Sequence, residues 1–506
     1  MTSMKAACCD FVCGDRKRFL RLVLLCVAVA ACRGVVSAAE DGRPNVLFIA
    51  VDDLRSQLGC YGHDDMVTPN IDALARRGVL FRNHYVSNPV CIPSRAALLT
   101  SLRSERTRQV YGPAQWPKVE GVRTLGRTFG DAGYFTASLG KIWHTKESLP
   151  EDVADRFDYS WKRDGDAIYA DPELSRIRAG LDYSQKKSAS SIKKRLPAAE
   201  GPLDVPDEAY GDGQMTGIVV DLLGEKAAGD EPFLIMVGFQ KPHLPFNAPK
   251  KYWDLYDAVN PPGTPSLEAL PENASNYELR KNHELWKYRE GFSFKKPPAG
   301  EDAARLRHAY AACVSYVDAQ IGKIMAAVDD LGLSETTVIV FWSDHGYQLG
   351  HLASWTKSTN FEMTAGSPLI IAAPGFGGDV TSSKVVASVD LFPTLLDLCG
   401  LPELRVSDGV SLRPLLEDAA SPSWDRPAYH VVRRSGVVGR AVRDGRFRYV
   451  EWRKGWTRQS PVVEIELYDF AEHPEERVNV AESPRYASDR ARLAGLLWDW
   501  AVPDAI

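Results

Sequence analysis

Seven residues, Asn45-Val46-Leu47-Phe48-Ile49-Ala50-Val51, form a nearly unbroken apolar run that ends on two acids, Asp52 and Asp53. A strand that is apolar on both faces needs cover above and below, as in a mostly parallel sheet between helices. Similar runs recur at Phe135 to Leu139, Phe233 to Val237, Val338 to Trp342 and Leu369 to Ala373. Helical patterns lie between them. Thr68-Pro69 reads as a helix start, with Thr68 as N-cap, Pro69 in the first position and Gly78 as the stop. Tyr310, Val314, Val317, Ile321, Ile324, Val328 and Leu331 recur at intervals of four and three, which draws one apolar face along a long helix. Alternating strands and helices predict an α/β fold with a mostly parallel central sheet flanked by helices.

After Pro414 the pattern changes. Ala428 to Val432, Gly439 to Arg443 and Phe447 to Glu451 read as short strands, and Asp444-Gly445 as the hairpin turn between the last two. Ser488 to Trp500 reads as a closing helix with Ser488 as its N-cap and Leu493, Leu496, Leu497 and Trp500 on one face. These elements predict a main domain over residues 39–427 and a small α+β C-terminal subdomain over 428–506. The polar stretches Asp164 to Asp212 and Asn260 to Gly300 read as surface insertions.

Residues 1–38 read as an export leader. Lys5, Arg16, Lys17, Arg18 and Arg21 precede the uncharged stretch Leu22 to Cys32, and small residues follow at Val36-Ser37-Ala38-Ala39. Eleven uncharged residues are too few to span a bilayer, which takes about 20. Export to the periplasm or the exterior is expected, with Val29-Ala30-Ala31-Cys32 offering a lipid-anchoring variant at Cys32. Without the leader the net charge is −9, so there is no general basic excess for a nucleic-acid partner. Cys60, Cys91, Cys313 and Cys399 remain, too few and too scattered for a disulfide scaffold or a zinc ribbon.

The chemistry gathers where the apolar runs end. Ligand sites of open α/β sheets lie at the carboxyl edge of the strands. Asp52-Asp53 ends the first run and Ser343-Asp344-His345-Gly346 ends another. Three carboxylates and an imidazole make an oxygen-rich donor set, better suited to Ca2+ or Mg2+ than to zinc. Gly140-Lys141-Ile142-Trp143-His144 and Lys241-Pro242-His243 follow two further runs. Two Lys and two His there fit a basic pocket for an anion, with His available for proton transfer. Cys91-Ile92-Pro93-Ser94-Arg95 places Cys91 near a helix N-terminus, where backbone N–H groups favour anions.

Cys91-Ile92-Pro93-Ser94-Arg95, with Leu99-Thr100 after it, resembles the signature of the type I sulfatases, in which the Cys is oxidised to formylglycine. The resemblance runs from Arg43-Pro44-Asn45-Val46, through Thr68-Pro69-Asn70-Ile71-Asp72, to Glu466-Leu467-Tyr468-Asp469. Lys241-Pro242-His243-Leu244-Pro245-Phe246 and Trp355-Thr356-Lys357-Ser358-Thr359-Asn360-Phe361 look most like the iduronate-2-sulfatase branch and its bacterial relatives.

The resemblance implies an alkaline-phosphatase-like fold, a sulfatase catalytic domain over residues 39–427, and hydrolysis of sulfate esters on a glycan. It implies Ca2+ held by Asp52, Asp53, Asp344 and His345 together with the modified Cys91. Arg95 would steady the formylglycine, and Lys141 and Lys357 would bind the sulfate oxygens. His243 would protonate the leaving alcohol, and His144 would assist breakdown of the intermediate. The implied partners are a sulfated glycan as substrate and a formylglycine-generating enzyme during maturation. A hydrated aldehyde carries two hydroxyls. One attacks sulfur, and the other then loses its proton and expels sulfate. A thiol has no second hydroxyl and no such release route.

Three places depart from the family pattern. Ser101 and Leu102 stand where Gly and Arg are usual, with Arg103 one place on. His351-Leu352-Ala353 stands for the usual Glu-His-Gly, and Gly366-Ser367-Pro368 replaces a basic residue before Val-Pro. Two other functions use the same groups: a phosphodiesterase or phosphonate hydrolase of the alkaline phosphatase superfamily, and a catalytically silent glycan-binding protein. The Cys-x-Pro-Ser-Arg segment favours sulfate over phosphorus, and intact Cys91, Lys141, His144, His243 and Lys357 favour turnover over silent binding.

Overall fold

The first apolar run is strand β1 (Asn45–Asp52), and its residues from Val46 to Asp52 are buried. The computed structural model describes residues 42–109, 119–144, 157–161, 167–180, 193–265, 268–279, 281, 283–434 and 436–499. The expected leader with Cys32, the middle of the first expected insertion, and Trp500 lie outside the described residues.

The other strands up to residue 400 are β2 (Val79–Tyr85), β3 (Phe135–Gly140), β4 (Tyr159–Trp161), β5 (Phe233–Pro242), β6 (Thr337–Ser343), β7 (Gln348–Leu349), β8 (Trp355–Thr356), β9 (Leu369–Ala372) and β10 (Val380–Ala387). Among the described residues, eight of them form one sheet in the order β10-β2-β9-β6-β1-β5-β3-β4. Only β9 runs against its neighbours, so the sheet is mostly parallel, as expected. Strands β7 and β8 pair separately as a short antiparallel ribbon.

Alternation along β1 divides the core. Leu47, Ile49 and Val51 pack with Tyr310, Val314, Val317 and Ile321 of the helix Gly300–Asp330. Val46, Phe48 and Ala50 pack on the opposite face with Leu98, Leu99, Phe129 and Leu395. The predicted stripe of the long helix is buried through Val328, but Leu331 follows the helix end and is 39% exposed. This helix is long and apolar enough to cross a membrane, yet 78% of its most apolar stretch is buried inside the protein, where it serves as the core helix.

Both insertions are less superficial than expected. Ile168, Tyr169, Leu196, Ala198 and Tyr210 from the first, and Leu285, Tyr288 and Phe292 from the second, join the core beside the long helix. Their apolar residues are scattered among polar ones without a helical or strand period, so periodicity does not reveal them.

Thr68 precedes the helix Pro69–Arg77 but its side chain does not cap it. Its Oγ1 instead accepts from the Gly59 N–H at 2.9 Å and donates to Asp72 at 3.2 Å. Asp318 of the long helix takes over, accepting from the backbone N–H of Asn70 at 3.0 Å and of Ile71 at 2.8 Å. Replacing Asp318 with Ala leaves these donors unmet. The expected cost is about 1–2 kcal/mol, read as a lower denaturant midpoint at unchanged slope. An unmoved midpoint would show that the cap contributes nothing.

The C-terminal elements form an antiparallel sheet of β11 (Ala428–Arg434), β12 (Val437–Arg443), β13 (Phe447–Arg453) and β14 (Val462–Asp469) in that order. Strand β14 was not anticipated, although Val463, Ile465 and Leu467 alternate with Glu464 and Glu466. The closing helix spans Ala487–Asp499 and continues from a single turn at Pro484–Tyr486. Ser488 is therefore inside the first turn and is not its N-cap. Leu493, Leu497 and Trp498 pack on Tyr429, Val442, Phe447 and Leu467.

Candidate active site

Strands β6, β1, β5 and β3 are neighbours and point the same way, so their carboxyl ends meet along one edge. Strand β1 delivers Asp52 and Asp53, and β6 delivers Asp344 and His345. Lys141 and His144 follow β3, and His243 follows β5. Cys91 is the first residue of the helix Cys91–Thr100, and Lys357 directly follows β8. Adjacent residues of a strand normally point to opposite faces. Asp53 escapes this through a left-handed φ of 65°, with its N–H donating to Asp344 Oδ1 at 3.1 Å. Both acids of the pair thereby join one site.

Cys91 lies at the centre. Its Sγ is 3.4 Å from Asp52 Oδ1, 3.3 Å from His345 Nε2 and 3.0 Å from Lys357 Nζ. The Lys357 ammonium also pairs with Asp53, and the Lys141 ammonium with Asp52. Arg95 is buried over the Trp342 ring, where its Nε donates to Asp344 Oδ2 at 2.8 Å and its NH1 to the Ile142 carbonyl at 3.1 Å. Burial works against the Asp52 carboxylate, but the charges of Lys141, His243, Arg95 and Lys357 outweigh it and hold its pKa well below the usual range. Burial also opposes the Lys357 ammonium, and Asp53 foremost keeps it charged. Burial and then Asp52 push the Cys91 thiol well above its usual pKa. A neutral thiol is a poor nucleophile, so unmodified Cys91 is not equipped for attack.

The donor set fits a hard divalent cation. Asp52, Cys91, Asp344 and His345 each offer an atom within 4.8 Å of the others, as do Asp52, Asp53, Cys91 and His243. Asp53 Oδ2 is buried and has no hydrogen-bond partner. Burial lowers the His345 pKa and favours a neutral ring, with Nδ1 3.0 Å from the Gly346 carbonyl and Nε2 turned to Cys91 and the carboxylates. Three carboxylates with one oxygen unmet suit Ca2+ or Mg2+.

His243 Nδ1 is 2.7 Å from the Leu244 carbonyl, and its Nε2 is 3.3 Å from Glu284 Oε2 and 3.9 Å from Asp53 Oδ2. Glu284 also accepts from Lys193 at 2.6 Å. Burial opposes its charge, but Lys193 and His243 hold it ionised well below the usual carboxylate range. Sequence reasoning missed Glu284 and Lys193. Glu284 sits in the stretch read as surface, and its only signal is the apolar Leu285-Trp286 beside it. Lys241 corrects the other way. Its ammonium bonds the Pro245 carbonyl and its N–H donates to Asp212 at 2.8 Å, so it stays out of the basic pocket. His144 stands at the exposed rim. The protein around it, then the Lys141 charge, lower its pKa.

Two departures from the family pattern have a backbone explanation. Ser101 ends the Cys91 helix with a left-handed φ of 56°, a position that glycine fills most easily. Its Oγ donates to the Val389 carbonyl at 2.6 Å, which helps hold the serine there. Ala353 likewise has φ of 55° where the pattern has Gly.

A family model described as Sulfatase matches residues 44–401, and one described as N-sulphoglucosamine sulphohydrolase, C-terminal, matches residues 350–501. Iduronate 2-sulfatase of Homo sapiens is 32% identical over 427 residues, which cover 82% of this chain and 76% of that protein. Choline-sulfatase of Rhizobium meliloti is 28% identical over 92% of this chain and 88% of its own. Phosphonate monoester hydrolase of Agrobacterium radiobacter matches with a TM-score of 0.70 at 25% identity, over 90% of this chain and 95% of that one. A protein solved with its substrate D-glucosamine-2-N,6-O-disulfate matches with a TM-score of 0.68 at 22% identity, over 90% and 97%. These likenesses bear out the alkaline-phosphatase-like α/β fold. The chain belongs to the sulfatase family, the hydrolases of sulfuric esters.

Proposed function

We propose that this protein is an exported enzyme that hydrolyses sulfate esters on a glycan, through a formylglycine made from Cys91 and a bound Ca2+. The observation that carries the reading is the place of Cys91: it begins a helix, lies 3.0 Å from the Lys357 ammonium and is ringed by three carboxylates. The similarity to iduronate 2-sulfatase supports a glycan, and within that class a uronic-acid-containing one.

When bound, Ca2+ would neutralise charge on the sulfate and on residue 91, held by Asp52, Asp53, Asp344 and His345. Arg95, fixed by Asp344 and two backbone carbonyls, steadies residue 91 at the head of its helix. Lys141 and Lys357 present ammonium groups from two sides and stabilise charge on the transferring group. His243 supplies a proton to the departing alcohol from Nε2, with Nδ1 held by the Leu244 carbonyl. Glu284 keeps that ring oriented. His144, at the rim, is assigned the proton that moves as sulfate is released.

The carboxylate count makes a test of the metal. Asp344→Asn removes one negative charge of three, and Ca2+ affinity depends on that count. Affinity is expected to fall about 100-fold, measured by elemental analysis after dialysis against buffered Ca2+. Undiminished calcium in this variant would overturn the assignment.

A second reading has its own support in the 25% identity and 0.70 TM-score to a phosphonate monoester hydrolase. Turnover of an aryl sulfate and an aryl phosphonate monoester by the same preparation separates the two. A higher kcat/KM on the sulfate is expected; a higher value on the phosphonate would replace the sulfatase reading.

A further inference from the structure

Lys357 sits in an unusual stretch of backbone. Thr356 before it has φ of 76°, and Ser358 after it has φ of 75°. Left-handed conformations are uncommon for residues with side chains, and a β-branched threonine there is an outlier. Such conformations persist only where the surroundings over-determine them.

The restraints come from other segments of the chain. Arg434, the last residue of β11, donates from one nitrogen to the Ser358 carbonyl at 2.5 Å and to the Glu278 carbonyl at 2.8 Å. The buried Glu278 carboxylate accepts from the Asn360 N–H at 2.7 Å. His430, also on β11, places Nε2 3.2 Å from the Asn360 carbonyl. On the other flank, His283 Nδ1 is 2.7 Å from Thr356 Oγ1. The C-terminal sheet and the 260–300 stretch thus grip the lysine segment from both ends. A lysine stem is long and flexible, so the place of its ammonium depends on how firmly its backbone is fixed.

We propose that Arg434, with Glu278 and His430, is a positioning device for Lys357, through which the C-terminal sheet sets the ammonium against Cys91 and Asp53. The proposal rests on the reading of Lys357 as a sulfate-binding residue. Arg434 acts through the backbone of Ser358. It gives the C-terminal sheet a part in the reaction besides covering the core.

The test is a double-mutant cycle on the full chain with an aryl sulfate. A misplacement of about 1 Å can cost about 10²-fold, and outer partners of a site typically cost about 10–100-fold. Arg434→Gln should therefore lower kcat/KM about 10–100-fold, and Arg434→Lys, which retains one donor group, should lose less. In the Lys357→Ala background the Arg434→Gln substitution should have almost no further effect, because the group it positions is gone. Equal losses in both backgrounds, or full kcat/KM with only a lower melting temperature, would overturn the proposal. If Arg434→Gln does not fold, the Arg434→Lys cycle decides by the same comparison. Full activity of Lys357→Ala alone would refute the sulfate-binding role of Lys357, and the positioning role with it.

Discussion

Replacing Cys91 with Ala is expected to reduce turnover of any sulfate ester by about 10⁴-fold or more, the scale seen when a nucleophile is removed from an otherwise intact site. The neighbours of Cys91 disfavour its own thiol as the working group. Burial and Asp52 keep it protonated, and a helix N-terminus with Lys357 at 3.0 Å waits for negative charge that the thiol does not supply. Peptide mass spectrometry of active enzyme should find the aldehyde or its hydrate at position 91. Fully active protein carrying only the thiol would sink the formylglycine mechanism while leaving the family assignment untouched. Cys91→Ser adds a second arm. A single hydroxyl can attack but has no partner to expel sulfate, so this variant should stall after one turnover with sulfate attached.

His243→Ala should separate substrates by their leaving groups. A sugar hydroxyl departs poorly without a proton, whereas an activated phenol leaves as its anion. General acid help is worth about 10²–10⁴-fold, so the loss should be of that order on a sugar sulfate and small on an activated aryl sulfate. Glu284→Gln, which keeps the shape but removes the charge beside Nε2, should show the same pattern more weakly. Equal losses on both substrates would remove His243 from the role of acid. His144→Ala should instead permit a burst followed by slow release, because its proposed task begins after the alcohol has gone.

Several parts of the site legible in the sequence share a simple property: a polar residue stands at or shortly after the end of an apolar run. Asp52 and Asp53 at the end of β1, Lys141 after β3, His243 after β5 and Asp344 after β6 could all be placed on one edge because parallel strands end together. Lys357 has no such marker. Its strand is two residues long, and only the family resemblance pointed to it. Glu284 had neither marker, since it comes from a stretch whose apolar residues follow no period. The misread caps have a different cause. Thr68 and Ser488 have the right side chains for capping, but Asp318 from another helix and the turn at Pro484–Tyr486 satisfy those helix starts instead. Local preference sets what can happen at such places, and tertiary packing decides what does.

The burial of Cys91 sets a clock. In the folded chain its side chain is 3% exposed, and it closes under Lys357, which lies 266 residues further along. At about 5–20 residues per second of synthesis, roughly ten to fifty seconds separate the appearance of the two. Asp344 and His345 arrive in the same late part of the chain. Under the proposed formylglycine mechanism, an enzyme that oxidises Cys91 would have to reach it before the chain closes over it. On that mechanism, slower synthesis or delayed closure of the C-terminal sheet would lengthen the interval and raise the fraction of working enzyme.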